Sequence, residues 1–504
     1  MSVDRQYLID NEELPQNYLV VPDVQVTGTH ARTIRPIGEG SSINNSERTV
    51  SNNSKKFPQY IAAISATISA AAAGAVLGWT SPITTDIKDG KYNKISVTDN
   101  ELAWIGSFVT LGAILSCFPS GIICNIIGRK STLLLLLAPF TIGWAFIIWA
   151  NSVFMIYVGR FLTGIASGAC CVAAPLYTCE IAQKEVRGAL GSYFQLMVTV
   201  GILFAYVIGK CMDPWHYTIV CATLPFLFFF SFIFQPETPH YCLSMGRPEK
   251  ARSALLQLRG KNYDTGLEMD AIKSALDSLS GSYSFNDNIR KRTVVKAFII
   301  SLSLMFFQQM SGINAVVFYA TDIFKDSGSK IDPKTASIVV ALVQVLATIL
   351  SSLLVDRLGR RILLISSGAV MALSSVLLGV FFTLKMDKII GNGTLTSLGF
   401  LPVTSLCIFV TMYSVGLGPI PWMISSEIFS SELKSIASSV AGTFSWFLAF
   451  LVTKFFLELE TGIGEDVMFY LFALMSLLGT TFVYFVVPET KGKTIDEVQH
   501  ELEN

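Results

Sequence analysis

The chain has 504 residues, is 51% hydrophobic and only 15% charged, and its mean hydropathy is +0.53. A soluble domain needs more charged surface than that, so the excess apolar area must face something other than water. A net charge of zero argues against a nucleic-acid partner, and no Cys/His cluster has metal-ligand spacing, so neither a metal nor another cofactor is expected.

The first 56 residues are polar and rich in Ser, Asn, Asp and Glu, with no apolar run; a disordered tail is expected there, not a cleaved signal peptide. A bilayer core of about 30 Å needs about 20 apolar residues in a helix. Such stretches lie near 58–81, 102–127, 131–150, 153–177, 189–209 and 218–235, then near 297–323, 336–355, 362–384, 400–424, 436–457 and 467–487. The predicted fold is all-α, with twelve transmembrane helices. Residues 1–56 form the tail, 57–235 a six-helix bundle, 236–296 a linker, 297–487 a second bundle and 488–504 a second tail. The linker holds 17 Asp, Glu, Lys and Arg residues. Two amphipathic helices are predicted in it, one after Pro248 with Ala251, Leu255 and Leu258 on one face and Gly260 as its stop. The other carries Met269, Ile272, Leu276 and Leu279.

Of the nine cysteines, Cys117, Cys124, Cys170, Cys171, Cys221 and Cys407 fall inside apolar stretches and read as small hydrophobes, while Cys211 is placed near the outer surface. Basic residues set the orientation. Lys55 and Lys56, Arg129 and Lys130, Lys184 and Arg187, and Arg357, Arg360 and Arg361 occupy alternate loops, and the opposite loops hold no arginine. Both termini are therefore predicted to be cytoplasmic, in the plasma membrane. The sequon at Asn392 then falls outside as a glycosylation site, and those at Asn44 and Asn52 inside.

The two bundles repeat their landmarks. GIICNIIGRK (121–130) answers SLLVDRLGRR (352–361); Glu180 and Arg187 answer Glu427 and Lys434; Pro236-Glu237-Thr238 answers Pro488-Glu489-Thr490. At these positions the chain resembles the sugar-porter family of the major facilitator superfamily, from residue 58 to about 495. The resemblance implies two six-helix repeats around a central site reached alternately from either side.

A sugar offers hydroxyls on an apolar ring, so its site needs neutral amides and aromatic faces. The spans supply Gln195, then Gln308, Gln309 and Asn314 in QQMSGINAVVFY (308–319), Gln344, and Trp422 in GLGPIPW (416–422). Taken singly, each amide is as well read as a bond between neighbouring helices. QQxSGIN and GPxPW resemble the sugar-porter signatures, and the resemblance implies sugar contacts at all six residues. Where the family has a glutamate in the tenth helix this chain has Ser414, and where it has an asparagine before Trp446 it has Ser445.

Arg129, Glu180, Arg187, Asp356, Arg360, Arg361, Glu427 and Lys434 sit at matching helix ends. They read either as topology signals worth about 0–1 kcal/mol per pair or, as the resemblance implies, as ion pairs between the bundles that close a cytoplasmic gate. Asn125 replaces the Asp kept at Asp356 in the other repeat.

Proton coupling needs a buried group that changes charge. The first span has no Asp or Glu between Pro58 and Pro82, Thr80 stands near the aspartate of proton-coupled relatives, and Arg160 in GRFLTG (159–164) reads as the only deep charge. Its expected role is to anchor the fourth helix through carbonyls or Glu180. Passive uniport is expected; symport and a non-transporting sugar sensor are the alternatives, and an enzyme is not expected. GAVLGWTSP (74–82) and VPETKGKTIDEV (487–498) resemble the insect facilitated trehalose transporters, which makes trehalose the first substrate and a hexose such as glucose the second. The expected partners are the sugar and the lipid bilayer, with no obligate protein.

Overall fold

A computed structural model describes residues 18–20, 34–36, 54–183, 185–280, 292–327, 331–386, 398–429, 431–493 and 495–503. It divides into two units, Met1–Asn52 and Asn53–Asn504. In the first, Tyr18–Val20 pairs antiparallel with Ile34–Pro36. The expected disorder of the rest of that tail and the sequons at Asn44, Asn52 and Asn392 fall outside the described residues.

Among its described residues the second unit carries twelve helices long and apolar enough to cross a membrane. Spans 1 to 6 are Phe57–Lys88, Asp99–Ile127, Arg129–Ile148, Val153–Ile181, Arg187–Cys211 and Pro214–Phe232. Spans 7 to 12 are Arg292–Lys325, Pro333–Val355, Arg360–Met386, Leu401–Ser425, Ile436–Ile463 and Glu465–Val486. Their starts follow local chemistry. Thr98 and Glu101 form a capping box for span 2, and Asp213 and Asp332 cap spans 6 and 8 with a proline just inside. Exposed side chains such as Phe230, Leu353 and Phe485 stud the perimeter, where lipid would cover them.

The helix after Pro248 runs Pro248–Arg259, with Ala251, Leu255 and Leu258 buried and Gly260 ending it at φ 108°. The second linker helix is Gly266–Ser280. A third, Pro239–Ser244, was not predicted: six residues are too few to show a period, and Thr238 caps it. Beyond span 12, Ile495–Glu503 is helical; Val498 and Leu502 are buried in the core of spans 7–12, and Lys296 Nζ donates to the Leu502 carbonyl at 2.7 Å.

Each half has its own core, one around Trp79, Trp144, Phe228 and Phe232, the other around Phe318, Tyr319, Phe382 and Phe469. Leu102, Ala103, Ile202 and Tyr206 of spans 2 and 5 join the second core, so the halves meet where span 2 packs on span 11 and span 5 on span 8. Four spans are interrupted among the described residues, span 3 only by a single turn residue, Leu136. Span 1 breaks at Trp79, span 7 between Met310 and Ile313, where Gly312 has φ 89°, and span 10 between Val415 and Ile420.

Candidate functional site

Pro419 and Pro421 lack an N–H, so the carbonyls four residues earlier, of Val415 and Leu417, lose their helical donors. Ser351 Oγ of span 8 donates to Val415 at 3.2 Å, and Gln308 Nε2 donates to Leu417 and Gly418 at 2.7 Å each. Gln308 lies four residues before Gly312, so one amide ties the break of span 7 to that of span 10. Its Oε1 is buried with no hydrogen-bond partner among the described residues. Alongside, Asn314 Nδ2 donates to Gln309 Oε1, and Gln309 Nε2 donates to Ser445 Oγ of span 11 at 2.8 Å. Ser414 Oγ and Trp446 Nε1, on spans 10 and 11, are also buried without a partner among the described residues. These are neutral donors and acceptors beside aromatic rings, a set that suits a neutral polyhydroxylated ligand.

The other predicted contacts are spread more widely. A Cβ added at Gly442 would lie 3.5 Å from the Trp422 ring and 3.0 Å from Cys117 Sγ, which brings spans 10, 11 and 2 together. Gln344 is buried on span 8 and Gln195 half-buried on span 5, and those two spans pack on each other.

Arg160 is fully buried, and its partners are neutral. Nε donates to the Ile105 carbonyl at 3.1 Å, Nη1 to the Val76 carbonyl at 2.6 Å and Nη2 to Thr80 Oγ1 at 2.8 Å. Its guanidinium also stands 5.3 Å from the Trp79 ring centroid. The carbonyl anchor is as expected, but the suggested link to Glu180 is not made, because Glu180 is held by Arg129. Arg160 is also not the only deep charge. Lys454 in span 11 is 6% exposed, with Nζ 3.0 Å from Asn100 Oδ1, bonded to Glu458 and 5.0 Å from the Trp104 ring, and Asp322 in span 7 is half-buried. Single ionisable residues inside long apolar windows are easily passed over in a hydropathy reading.

At the arginine-bearing end the repeated landmarks converge into one network per half. In the first, Glu237 accepts from the backbone N–H of Arg129 at 3.1 Å and Lys130 at 3.0 Å, capping span 3. Thr238 Oγ1 donates to Glu180 at 2.6 Å, and Arg129 grips the same carboxylate at 2.9 Å. In the second, Glu489 accepts from the N–H of Arg360 and Arg361 at 3.0 Å each, Thr490 Oγ1 donates to Glu427 at 2.5 Å, and Arg360 pairs with Glu427 at 3.1 Å. Gly128 and Gly359, at φ 99° and 92°, make both turns; a Cβ there would stand 2.3 Å from Glu237 and 2.8 Å from Glu489. Burial pushes the Glu489 carboxyl up, but the N–H groups of Lys491, Arg360 and Arg361 and the Arg360 charge outweigh it and hold the group below its usual range.

The role of the Pro-Glu-Thr segments was missed, although their repetition was visible. The pairing also differs from the expectation: Arg129–Glu180 and Arg360–Glu427 lie within halves, not between them. With side chains only 7% and 10% exposed, the first pair is no surface pair, so the 0–1 kcal/mol scale does not describe it. Arg187 Nη2 reaches the Ala182 carbonyl at 3.5 Å and Arg361 Nη2 the Tyr484 carbonyl at 2.5 Å. The side chains of Asp356 and Lys434 fall outside the description.

The opposite end ties the halves together. Lys334 Nζ of span 8 meets Asp86 of span 1 at 2.9 Å, and Lys210 of span 5 meets Asp332 at 3.5 Å and bonds Thr335. The Lys454–Asn100 bond joins spans 11 and 2. Tyr206 Oη donates to the Val317 carbonyl at 2.6 Å, and the Thr321 N–H donates to Ser81 Oγ at 3.1 Å.

Two repeated six-helix halves, broken helices lined with neutral polar groups and matched networks at one end define a carrier of the major facilitator fold. Residues 53–502 match the family model described as sugar (and other) transporter, and the chain belongs to that family. The facilitated trehalose transporter Tret1 of Culex quinquefasciatus is 38% identical over 88% of this chain and 86% of its own. That of Polypedilum vanderplanki is 37% identical over 88% of each chain, and that of Aedes aegypti is 37% identical over 88% of this chain but 55% of its own length. The proton:xylose symporter XylE bound to 6-bromo-6-deoxy-D-glucose superposes with a TM-score of 0.70 at 23% identity, over 88% of this chain and 99% of its own. A partially occluded inward open form of XylE from E. coli gives 0.71 at 23% identity, over 86% and 99%. At that identity the likeness is one of fold. The sequence resemblance to sugar porters, and among them to insect trehalose transporters, is borne out.

Proposed function

We propose that this sugar transporter is a uniporter that carries trehalose, or a hexose such as glucose, by alternating access. The observation that carries the uniport reading is the neutral surrounding of Arg160: its partners in span 1 are a backbone carbonyl and a threonine hydroxyl, neither of which can release a proton and leave a charge behind. Relatives 36–38% identical are named facilitated trehalose transporters, which supports the same reading.

The sugar site would be made by Gln195, Gln308, Gln309, Asn314, Gln344 and Trp422. In Gln308 the two roles of a membrane amide divide between its atoms: the nitrogen braces span 10, and the oxygen is left for substrate. The charged groups at the arginine-bearing end would form the cytoplasmic gate. With the opposite end tied shut, pairing inside each half fits that gate's open position. This orientation puts both termini in the cytoplasm and Asn392 outside, with the plasma membrane as the site of action.

The test is uptake of labelled trehalose and glucose into proteoliposomes with and without an imposed proton gradient. Saturable uptake indifferent to the gradient is expected, with trehalose preferred. Accumulation driven by the gradient would overturn uniport and direct attention to Asp322 and Lys454; uptake of neither sugar would overturn the substrate assignment.

A further inference from the structure

The repeat that relates the two halves also shows where they differ. At the arginine-bearing end Arg357, Arg361 and Lys491 stand where the first half has Ile126, Lys130 and Pro239. Among the described residues none of these three cations meets a carboxylate in an ion pair. Arg361 donates to the Tyr484 carbonyl and lies 5.9 Å from the centroid of that ring, and its Nε has no acceptor among the described residues. Lys491 Nζ donates to the Arg357 carbonyl at 2.7 Å.

The three cations gather around one turn. The backbone N–H groups of Arg361 and Lys491 both donate to Glu489, at 3.0 and 2.9 Å, so the nearby carboxylate is spent on holding the backbone. The surface beside them is apolar: Leu353, Ile362, Tyr484 and Phe485 are 58–76% exposed. At the matching place in the first half Lys130 is the single cation, and Ile126 there is 63% exposed. A cluster of cations beside an apolar rim and an interfacial tyrosine has the chemistry that holds an anionic headgroup above its acyl chains.

We propose that Arg357, Arg361 and Lys491 form a site for one anionic phospholipid of the phosphatidylserine type, taken from the leaflet at the arginine-bearing end. The guanidinium groups offer paired donors to its phosphate, and Lys491 offers a point charge to the second anionic group of the headgroup. The acyl chains run along Leu353, Ile362 and Phe485. Every residue of the site belongs to the second half, so the lipid rides with that half through the cycle and braces the turn at Glu489; it does not bridge the halves. The inference rests on the proposed orientation only in naming that leaflet the cytoplasmic one. Its test uses neither sugar nor sidedness, so it can fail or hold apart from that reading.

The full chain in a neutral detergent is titrated with dioleoyl phosphatidylserine or dioleoyl phosphatidylcholine, and bound lipid is counted by native mass spectrometry. The wild type should retain one phosphatidylserine several-fold more tightly than phosphatidylcholine. Arg357→Ile, which copies the first half, and Lys491→Gln should each weaken that preference about fivefold, the worth of one cation near an anionic headgroup. Arg357→Lys, which keeps the charge, should largely preserve it, and Lys130→Gln in the first half should not touch it. Both altered residues are exposed, so the melting temperature without added lipid should stay constant and separate lost binding from lost folding. Equal retention of the two lipids by the wild type would overturn the proposal. So would an equal loss of preference in Lys130→Gln, which would mean a diffuse surface charge and no built site. Displacement of the lipid by soluble glycerophosphoserine at equal concentration would assign the cations to a free phosphate ester and overturn the lipid as occupant.

Discussion

At one end of the bundle each half keeps its charges to itself: Arg129 grips Glu180, and Arg360 grips Glu427, each beneath a Pro-Glu-Thr segment from the same half. At the other end the partners come from different halves, with Lys334 on Asp86 and Lys210 on Asp332. The difference separates two uses of the same chemistry. Charges paired within a half, well buried and joined to helix caps, make that half rigid. Pairs across the seam are partly exposed and need only be strong enough to bias an equilibrium.

The largest expected effect breaks the first class. Arg129→Met leaves Glu180 buried and uncompensated, which costs about 3–5 kcal/mol and should show as a sharp fall in the melting temperature in detergent. Arg360→Met should cost less, about 1.5–3 kcal/mol, because Glu427 is 28% exposed where Glu180 is 10%. Equal losses would mean that burial does not distinguish the halves. A middle effect tests the second class. Lys334→Met should leave the melting temperature nearly unchanged and shift seam opening by about 1 kcal/mol, or about fivefold in the rate at which a small charged thiol reagent labels Ala103→Cys, buried in the seam. If Arg129→Met opened the seam as strongly, the division between the two ends would be wrong.

The smallest effect is one of pH. The carboxyl of Glu489 is held below its ordinary range in the folded chain. The unfolded chain therefore binds its proton first, and the group's contribution to stability is fully present above the usual carboxylate pKa of about 4.3 and fades as pH falls through its folded value. Melting curves from pH 7 to pH 3 should show a loss that Glu489→Gln removes.

Much of this was legible in the sequence because the bilayer simplifies the code. Twelve long apolar runs, basic loops and a repeated set of landmarks gave the spans and the two halves, and Pro419 and Pro421 marked the break of span 10; the break of span 7 at Gly312 was not read. What the sequence hid was contact over long distances in the chain. Glu237 and Glu180 are far apart in sequence, and nothing local says that Thr238 bonds one while the other caps span 3. The kink at Tyr319, where span 7 leaves helical geometry, is set by Thr453 and Phe456 of another helix, so no breaker residue announces it. Lys454 was masked by its apolar neighbours, and its reasons for burial, Asn100 and Trp104, lie in the other half.

The brace between Gln308 and span 10 also fixes a polarity. Two carbonyl oxygens at 2.7 Å can only face the amide nitrogen, since turning the group over would set oxygen against oxygen. The buried Oε1 can therefore only accept. A sugar hydroxyl meeting it must give up its hydrogen to the bond, so a deoxyfluoro sugar, whose fluorine accepts weakly and never donates, would lose that contact at this one position while keeping its size and shape.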